Sequence, residues 1–262
     1  MKKSKKISII VGVIMILAGL AVSFFAVAAM NFDFRKMNTF SFDAMTYWIN
    51  DDFLNVSVDG GWCGVNIYPS DDDRGKVVVN VVDGVESVIA VKGDTLDIKW
   101  QDNRKWFEKV GLYWGETDIS IYLPKKEYNM LNVQSTSGDV EVAEDVTFSS
   151  INIETTSGDV KVSNISCKKI VTGTKSGEVY LTDVITSGDI QITSVSGDVT
   201  LDHCDGDNIK IKTSSGDVYG TLLSEKIFKA ETSSGDINIP NSSSGGSCDI
   251  ATSSGDIKFS VK

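Results

Sequence analysis

The sequence predicts an all-β protein: a single-domain parallel β-solenoid, or β-helix, with coils of 19 or 20 residues, preceded by one N-terminal transmembrane helix. Three observations support this prediction. A Ser-Gly-acid motif recurs through the second half of the chain, apolar and polar residues alternate around each copy, and an uncharged segment follows a lysine-rich start. A fixed period of this size is typical of solenoids, because one repeat cannot bury its apolar face alone.

The first 30 residues are predicted to anchor the chain in a membrane. Four lysines lie within residues 1–6, and the uncharged run over 7–30 would form a helix about 36 Å long. We expect a cytoplasmic basic flank, then the transmembrane anchor, with residues 31–262 in the extracytoplasmic space. The alternative is a signal peptide, since Ala26-Val27-Ala28 has the small-x-small form of a cleavage site. Both interpretations place the rest of the chain outside the cytoplasm.

The chain beyond residue 30 is strongly acidic. It holds 36 acidic side chains and, once the four N-terminal lysines are set aside, 21 basic ones, for a net charge of −15. Such a surface repels nucleic acid and anionic lipid headgroups, so we expect no nucleic-acid partner.

The segment between the anchor and the regular repeats is predicted to contain a linker and then irregular coils. Residues 31–52 are weakly periodic and are interpreted as the linker, with Phe32 and Phe34 at the bilayer interface as the alternative for its start. Short alternating runs separated by turns indicate strands over 53–130. The first strand pair fits the later repeats if Cys63 takes the place of the glycine, so we expect irregular coils of the same solenoid.

The loop over residues 100–114 is the most aromatic and least repetitive part of this region. Its aromatic residues are candidates for a partner-binding surface, because aromatic side chains dominate many interfaces. The alternative is that they cap the open end of the solenoid core, since a solenoid needs a capping element. The residues are Trp106, Phe107, Tyr113 and Trp114.

Regular repeats occupy residues 131–262 and can be aligned on the glycine of each motif. Apolar residues stand seven and five positions before the glycine and two and four positions after it, which indicates a strand, a corner and a second strand. We expect the glycine to permit the corner, through a positive φ or a close approach of stacked backbones. A Ser or Thr three positions earlier can satisfy backbone groups there. The corner glycines are Gly138, Gly158, Gly177, Gly197, Gly216, Gly235 and Gly255.

The acids that follow these glycines would form a column along one edge of the solenoid. We expect each to accept hydrogen bonds from the amides of its own corner, as in an Asx-turn, which relieves the repulsion between like charges. The alternative is that divalent cations such as calcium bridge the carboxylates. We otherwise expect no metal and no cofactor. The acids are Asp139, Asp159, Glu178, Asp198, Asp217, Asp236 and Asp256.

The sequence offers no candidate catalytic residues. The one histidine, His203, lies next to Cys204 without a matching third group, and the four cysteines form no Cys-x-x-Cys motif. Cys204 and Cys248 fall in apolar columns and are interpreted as small buried residues, with a disulfide between two of the cysteines as the alternative. We therefore predict that the protein is not an enzyme.

The ordered combination of motifs resembles a bacterial family. It consists of Asn31-Phe32-Asp33-Phe34 after the lysine-flanked span, the Tyr68-Pro69-Ser70-Asp71-Asp72 turn, the run from Ile119 to Pro124, and the Thr-Ser-Gly-Asp repeats. Together these motifs resemble the adhesin-like (LiaG-like) β-strand-repeat family of unknown function. The resemblance implies a β-solenoid on the outer side of a bacterial membrane, without known catalytic residues. The Trp62-Cys63-Gly64 corner departs from the Ser-Gly-Asp form.

We therefore expect a non-enzymatic, membrane-anchored, extracytoplasmic β-solenoid that acts as an adhesin-like binding or scaffolding module of the cell envelope. Its expected partners are the membrane, through the N-terminal helix, and an envelope protein or a wall glycan. The alternative is a β-helix protein that binds or cleaves wall polysaccharide along its acidic, hydroxyl-rich face.

Overall fold

The computed structural model describes residues 3–33, 42–82, 85–105 and 117–262. The chain divides into two compact units, one with the N-terminal helix and one with the strands. Helix α1 spans Lys3–Ala29. Its segment Val11–Ala29 has a mean hydropathy of 2.6, and by length and composition it suits either a membrane span or a signal sequence.

Strands make up most of the second unit, because β-branched and other apolar residues alternate with polar ones along it. The earlier strands are β1 (Phe42–Ile49), β2 (Asn55–Asp59), β3 (Gly64–Pro69), β4 (Gly75–Val82), β5 (Glu86–Lys92), β6 (Thr95–Gln101) and β7 (Asp118–Leu123). The later strands are β8 (Glu127–Gln134), β9 (Val140–Val142), β10 (Thr147–Glu154), β11 (Val160–Gly173), β12 (Val179–Thr193), β13 (Val199–Cys204), β14 (Asn208–Lys212), β15 (Val218–Leu222), β16 (Lys226–Glu231), β17 (Ile237–Asn238), β18 (Gly246–Ala251) and β19 (Ile257–Val261).

Parallel pairing dominates the sheet from β8 onward. Leu131 pairs with Ile151, which in turn pairs with Ile170, and the strands that follow the corners pair in the same way. In these pairs the partners are one repeat apart, so each unit of strand, corner and strand lies directly on the next. We call such a unit a coil and name it after its corner glycine.

Antiparallel strands cover the other end of the sheet. β5 pairs with β6, β4 pairs with β7, and β1 pairs with β4, all in antiparallel directions. The short Gly93-Asp94 turn between β5 and β6 requires this direction, because parallel strands need a crossover of about a dozen residues or more. The strands of the described residues therefore form one mixed sheet, whereas the sequence predicts a wholly parallel one.

The predicted linker contains a strand. Residues 42–49 form β1, which pairs in register with the valine-rich β4, as in the pair Met45 and Val79. Without β1, the outer edge of β4 would expose unpaired amide and carbonyl groups, so this pairing protects the edge. The interpretation of residues 31–52 as a linker is therefore wrong for residues 42–49.

The coils do not stack in chain order at either end. β2 lies between β6 and β8, and β3 lies between β7 and β9, so the first coil of the chain is second in the stack. At the other end, β18 lies between β14 and β16, and β19 lies between β15 and β17. The Gly255 coil, last in sequence, is thus inserted between the Gly216 and Gly235 coils, and the Gly235 coil ends the stack.

The core lies inside the stack and is formed by the apolar columns of the repeats. Leu131 and Val140 are fully buried, whereas Ile237 in the terminal Gly235 coil is 44% exposed. Gly220 leaves room for the ring of Phe259 in the neighbouring coil, because a Cβ there would lie 2.1 Å from its Cε1 atom. The inserted coil is therefore matched in size to the coil on which it packs.

Candidate binding site on the corner edge

The corner edge is the edge of the stack on which the seven Ser-Gly-acid corners lie one above another. A Cβ at Gly158 would lie 2.1 Å from the carbonyl oxygen of Gly138, and a Cβ at Gly197 would lie 1.6 Å from that of Gly177. No side chain tolerates such distances, so the stacked backbones require glycine. Among the seven glycines, only Gly235 has a positive φ. Close approach of the coils, more than backbone conformation, therefore explains the motif.

Hydroxyl groups three positions before the glycines bond the corners from inside. The Gly177 amide donates a hydrogen bond to Thr174 Oγ1 at 3.0 Å, and that hydroxyl donates to the carbonyl oxygen of Gly158 at 3.3 Å. The amides of Gly138, Gly158 and Gly197 make the same bond to their own Ser or Thr. Each of these hydroxyls stabilises its corner, and Thr174 also joins two coils.

The seven acids of the corners form a hydrogen-bonded carboxylate ladder that runs from coil to coil. The Asp159 amide donates to Asp139 Oδ1 at 2.8 Å, and the Glu178 amide donates to Asp159 Oδ1 at 2.9 Å. These bonds reach the next coil, whereas the sequence predicts bonds within each corner. Because a charged acceptor strengthens a hydrogen bond, the rungs offset repulsion between the stacked carboxylates. Further rungs join Asp198 to Asp217, Asp217 to Asp256, and Asp256 to Asp236.

The second oxygen of a ladder carboxylate can take a bond from the side chain two positions later. The Tyr219 hydroxyl donates to Asp217 Oδ2 at 2.7 Å, and Lys258 Nζ donates to Asp256 Oδ2 at 3.1 Å. The bond to Asp217 raises the pKa of Tyr219 to about 12, because deprotonation would bring two anions together. The hydrogen bond from the Asp236 amide, together with Lys258, lowers the pKa of Asp256.

The ladder is interrupted at two places. The longer side chain of Glu178 bonds the hydroxyl of Tyr180, and within the described chain no bond joins the Asp198 amide to Glu178. At the second place, Gly64 occupies the rung before Asp139, because β3 and β9 pair with Val65 opposite Val140. A glycine offers no carboxylate, and the Asp139 amide has no hydrogen-bond partner among the described residues.

Beyond Gly64 the acid column continues with Asp118. Strands β3 and β7 pair in register, so that Gly64 lies opposite Asp118. Asp118 and Asp139 therefore flank a rung that has no side chain, which we call the empty rung. Space is available there, because the nearest contact of a Cβ at Gly64 would be the carbonyl oxygen of Asp139 at 3.7 Å.

A cleft with a volume of about 390 Å³ opens at the empty rung. Besides Asp118 and Asp139, the described residues of its lining include Asn66, Ser137 and Trp62. Trp62 takes the place that serine holds in the repeats, and its ring lies 5.2 Å from that of Trp100, centroid to centroid. The cleft thus combines hydrogen-bonding groups with one apolar wall.

The charges around the cleft are mainly negative. Ser120 Oγ donates a hydrogen bond to Asp118 Oδ2 at 2.9 Å, while Glu141 adds a third acid and Lys161 a cation to the lining. Cys63, in the same corner, is fully buried, and burial raises the pKa of its thiol to about 12. The thiol is therefore neutral at neutral pH and is a poor nucleophile.

Among the described residues, the cysteines form neither a disulfide nor a metal site. The candidate partner surface of Trp106, Phe107, Tyr113 and Trp114 lies outside the described residues. All four cysteines are free thiols, and Cys63, Cys204 and Cys248 are buried. Across the described ranges, no group of three or more His, Cys, Asp or Glu side chains is arranged to hold a metal ion.

Sequence reasoning did not find the cleft, although one signal was present. Trp62-Cys63-Gly64 departs from Ser-Gly-acid at all three positions. This departure indicates a site only when the strand register is known, because the register brings Asp118 next to Gly64 although the two are far apart in sequence. Alignment on the repeats alone could not place Asp118 in the acid column, because its coil lacks the motif.

Comparisons with known proteins agree with the fold. The family model described as Toastrack DUF4097 matches residues 55–262. No curated protein matches the chain.

Several solved structures of bacterial proteins match the chain. A candidate adhesin from Bacteroides fragilis has 17% identity and a TM-score of 0.54, covering 84% of this chain and 97% of that one. A candidate cell adhesion protein from Clostridium sporogenes has 16% identity and a TM-score of 0.41, covering 86% and 100%. A candidate lipid binding protein from Parabacteroides distasonis has 16% identity and a TM-score of 0.49, covering 82% and 96%.

Proposed function

This chain belongs to the Toastrack DUF4097 family, and we propose that it is a non-enzymatic, adhesin-like binding module of the bacterial cell envelope. The observation that carries the proposal is the cleft at the empty rung. Carboxylate, amide, hydroxyl and indole groups converge there on a volume of about 390 Å³, within the range of small-ligand sites. A candidate adhesin from Bacteroides fragilis shares the fold, which is consistent with this function.

The architecture in this proposal is a β-solenoid with an antiparallel cover at one end. Its support is the parallel pairing from β8 to β19, with partners one repeat apart, or two repeats apart where the Gly255 coil is inserted. Rungs of the carboxylate ladder and stacked corner glycines join successive coils along one edge. Since each coil contacts only its neighbours, these repeated contacts set the stiffness of the whole stack. A stiff stack suits a module that presents a binding site away from a surface.

In this proposal helix α1 is a single-pass membrane anchor, and the strands lie on the extracytoplasmic side. Support comes from the apolar segment Val11–Ala29 and from the lysines before it, which favour the cytoplasmic side. The partners are the membrane, through α1, and an envelope protein or a wall glycan. A cleaved signal sequence would deliver the same strands to the same side without the anchor.

Cleavage of wall polysaccharide is the second candidate function, and the pair Asp118 and Asp139 in one cleft favours it. Glycosidases place two carboxylates on either side of the scissile bond, about 5–5.5 Å apart in retaining and about 6.5–9.5 Å apart in inverting enzymes. The two aspartates here are separated by two strand spacings, roughly 9–10 Å. This distance lies at or beyond the upper end of the inverting range, so binding is the better-supported function.

Retention on envelope material tests the proposed function. The full chain, purified in detergent, is mixed with isolated bacterial envelopes and sedimented, and the supernatant is assayed for new reducing ends. We expect the protein to sediment with the envelopes and to release no reducing ends. Release of reducing ends would establish the cleaving alternative, and failure to sediment would contradict a binding function.

A further inference from the structure

We propose that the empty rung at Gly64 is a subsite for a hydroxyl group of a neutral glycan, with Trp62 packed against the sugar ring beside it. The inference rests on the proposed binding function and deepens it, because it names the class of ligand for the same cleft.

The backbone amide of Asp139 defines the first requirement of the ligand. In the intact rungs, the amide of each acid donates to the carboxylate one coil before it, at 2.8 Å for both Asp159 and Asp217. The same backbone geometry directs the Asp139 amide toward the place of a side chain at position 64. This amide has no partner among the described residues, so the group that enters the rung must accept a hydrogen bond.

The flanking carboxylates define the second requirement. Within the described chain, Asp118 Oδ1 and Asp139 Oδ2 receive no hydrogen bond, because Ser120 and the Asp159 amide use the other oxygens. These two oxygens can only accept, so the entering group must also donate. An anion would be repelled by the carboxylates, and a cation would leave the amide unpaired. A hydroxyl meets both requirements, since it accepts from the amide and donates to a carboxylate.

The indole of Trp62 favours a sugar among the compounds that carry hydroxyls. Trp62 lines the cleft, and an indole packs favourably against the C–H face of a pyranose, which small polar solutes do not present. Among the described residues of the lining, Lys161 is the one cation beside three acids, so this part of the site selects against anionic sugars. A neutral oligosaccharide is therefore the ligand class that best fits the described residues of the cleft.

The substitution Gly64→Asn tests the subsite by filling the rung. Its carbonyl oxygen can accept the Asp139 amide, and its Cβ would make only ordinary contacts, since the nearest atom lies 3.7 Å away. The matched control is Gly173→Asn, at a glycine outside the cleft where a Cβ would lie 3.9 Å from its nearest atom. Trp62→Ser, which introduces the residue of the other corners, tests the apolar wall.

Calorimetric titration of the full chain in detergent with cellohexaose, chitohexaose and laminarihexaose provides the measurement. We expect at least one of these neutral oligosaccharides to bind the wild type and Gly173→Asn equally. Gly64→Asn and Trp62→Ser should each weaken that binding by about tenfold or more. The inference is overturned if none of the three binds, if Gly64→Asn binds as the wild type does, or if calcium chloride displaces the sugar from the wild type.

Sedimentation with envelopes separates this inference from the proposed function. If both the wild type and Gly64→Asn sediment with the envelopes to the same extent, the glycan subsite is wrong while the binding function stands. If neither sediments, the proposed function itself fails. If the wild type sediments and Gly64→Asn does not, the result supports both the glycan subsite and the binding function.

Discussion

Glycines at two places on the corner edge are present for opposite reasons. A Cβ at Gly216 would lie 2.0 Å from the carbonyl oxygen of Gly197, whereas a Cβ at Gly64 would have 3.7 Å to its nearest neighbour. The first glycine is required by the stacking of coils. The second leaves space and removes a carboxylate from the acid column. The corner edge therefore has a close-packed part, in which carboxylate rungs join most of the coils, and a part at Gly64 in which the rung has no side chain.

The largest expected difference between the two parts is the response to one added methyl group. Gly216→Ala should lower the free energy of unfolding by about 2–4 kcal/mol, because the Cβ forces two coils apart. Gly64→Ala should change it by less than about 1 kcal/mol, since the site has room and alanine restricts the unfolded chain. Urea unfolding followed by tryptophan fluorescence measures both values. Equal losses at the two positions would contradict the comparison.

Removal of a ladder carboxylate should have a smaller effect. Asp217→Ala leaves the Asp256 amide without its acceptor and should cost about 1–2 kcal/mol of unfolding free energy. Asp217→Asn should cost less, because its amide oxygen can still accept that bond. Asp118→Ala, beside the empty rung, should cost less than Asp217→Ala, since Ser120 is its hydrogen-bond donor and no coil depends on it. The ladder account fails if Asp217→Ala unfolds at the same urea concentration as the wild type.

Lowering the pH should reduce the stability that the carboxylate of Asp256 gives to the folded protein. The pKa of Asp256 is lowered in the folded protein, first by the Asp236 amide and then by Lys258, so the unfolded chain binds this proton more tightly. Its contribution to stability is therefore present above the ordinary aspartate pKa of about 3.9 and is lost as the pH falls through the lowered value. Urea midpoints measured against pH should decline in this range for the wild type and decline less for Asp256→Asn. An unchanged pH dependence in the variant would contradict this assignment.

The smallest expected effect is the repair of the interruption at Glu178. Glu178→Asp shortens the side chain to the length used by the other rungs, so it should accept the Asp198 amide. The gain should be a few tenths of a kcal/mol, because the bond to the Tyr180 hydroxyl is exchanged for the new one. The control Glu178→Gln keeps the length and should bring no gain. A loss of stability in Glu178→Asp would show that side-chain length does not explain this interruption.

The sequence pattern correctly predicts an all-β chain with one N-terminal helix, because each glycine-centred unit contains its own strands and corner. It also predicts that Ser, Thr and acids hold the corners, although it assigns the carboxylates to the wrong amides. Whether a carboxylate reaches its own corner or the next one depends on how far apart neighbouring coils lie. The coils are close, since a Cβ added at Gly158 would lie only 2.1 Å from the carbonyl oxygen of Gly138. Spacing of this kind is a property of the stack and not of one repeat.

The order of the coils and the cleft could not be predicted from the repeats. Both depend on pairing between segments that are distant in sequence, such as β3 with β7 and β14 with β18. One clue to the inserted coil was present in composition, since Gly220 stands where other coils have a large core residue and Phe259 fills the space. The predicted linker failed for a similar reason, because β1 is a strand only by virtue of the edge of β4 on which it pairs.

Amide hydrogen exchange at the acids of the corner edge can distinguish the bonded rungs from the empty rung. With the chain labelled with ¹⁵N at aspartate, the rates at Asp159, Asp217, Asp236 and Asp256, whose amides donate to carboxylates, can be compared with the rate at Asp139. We expect slow exchange at the first four residues and fast exchange at Asp139, which slows when a bound oligosaccharide fills the empty rung. An Asp139 amide as protected as the others in the ligand-free protein would contradict the account.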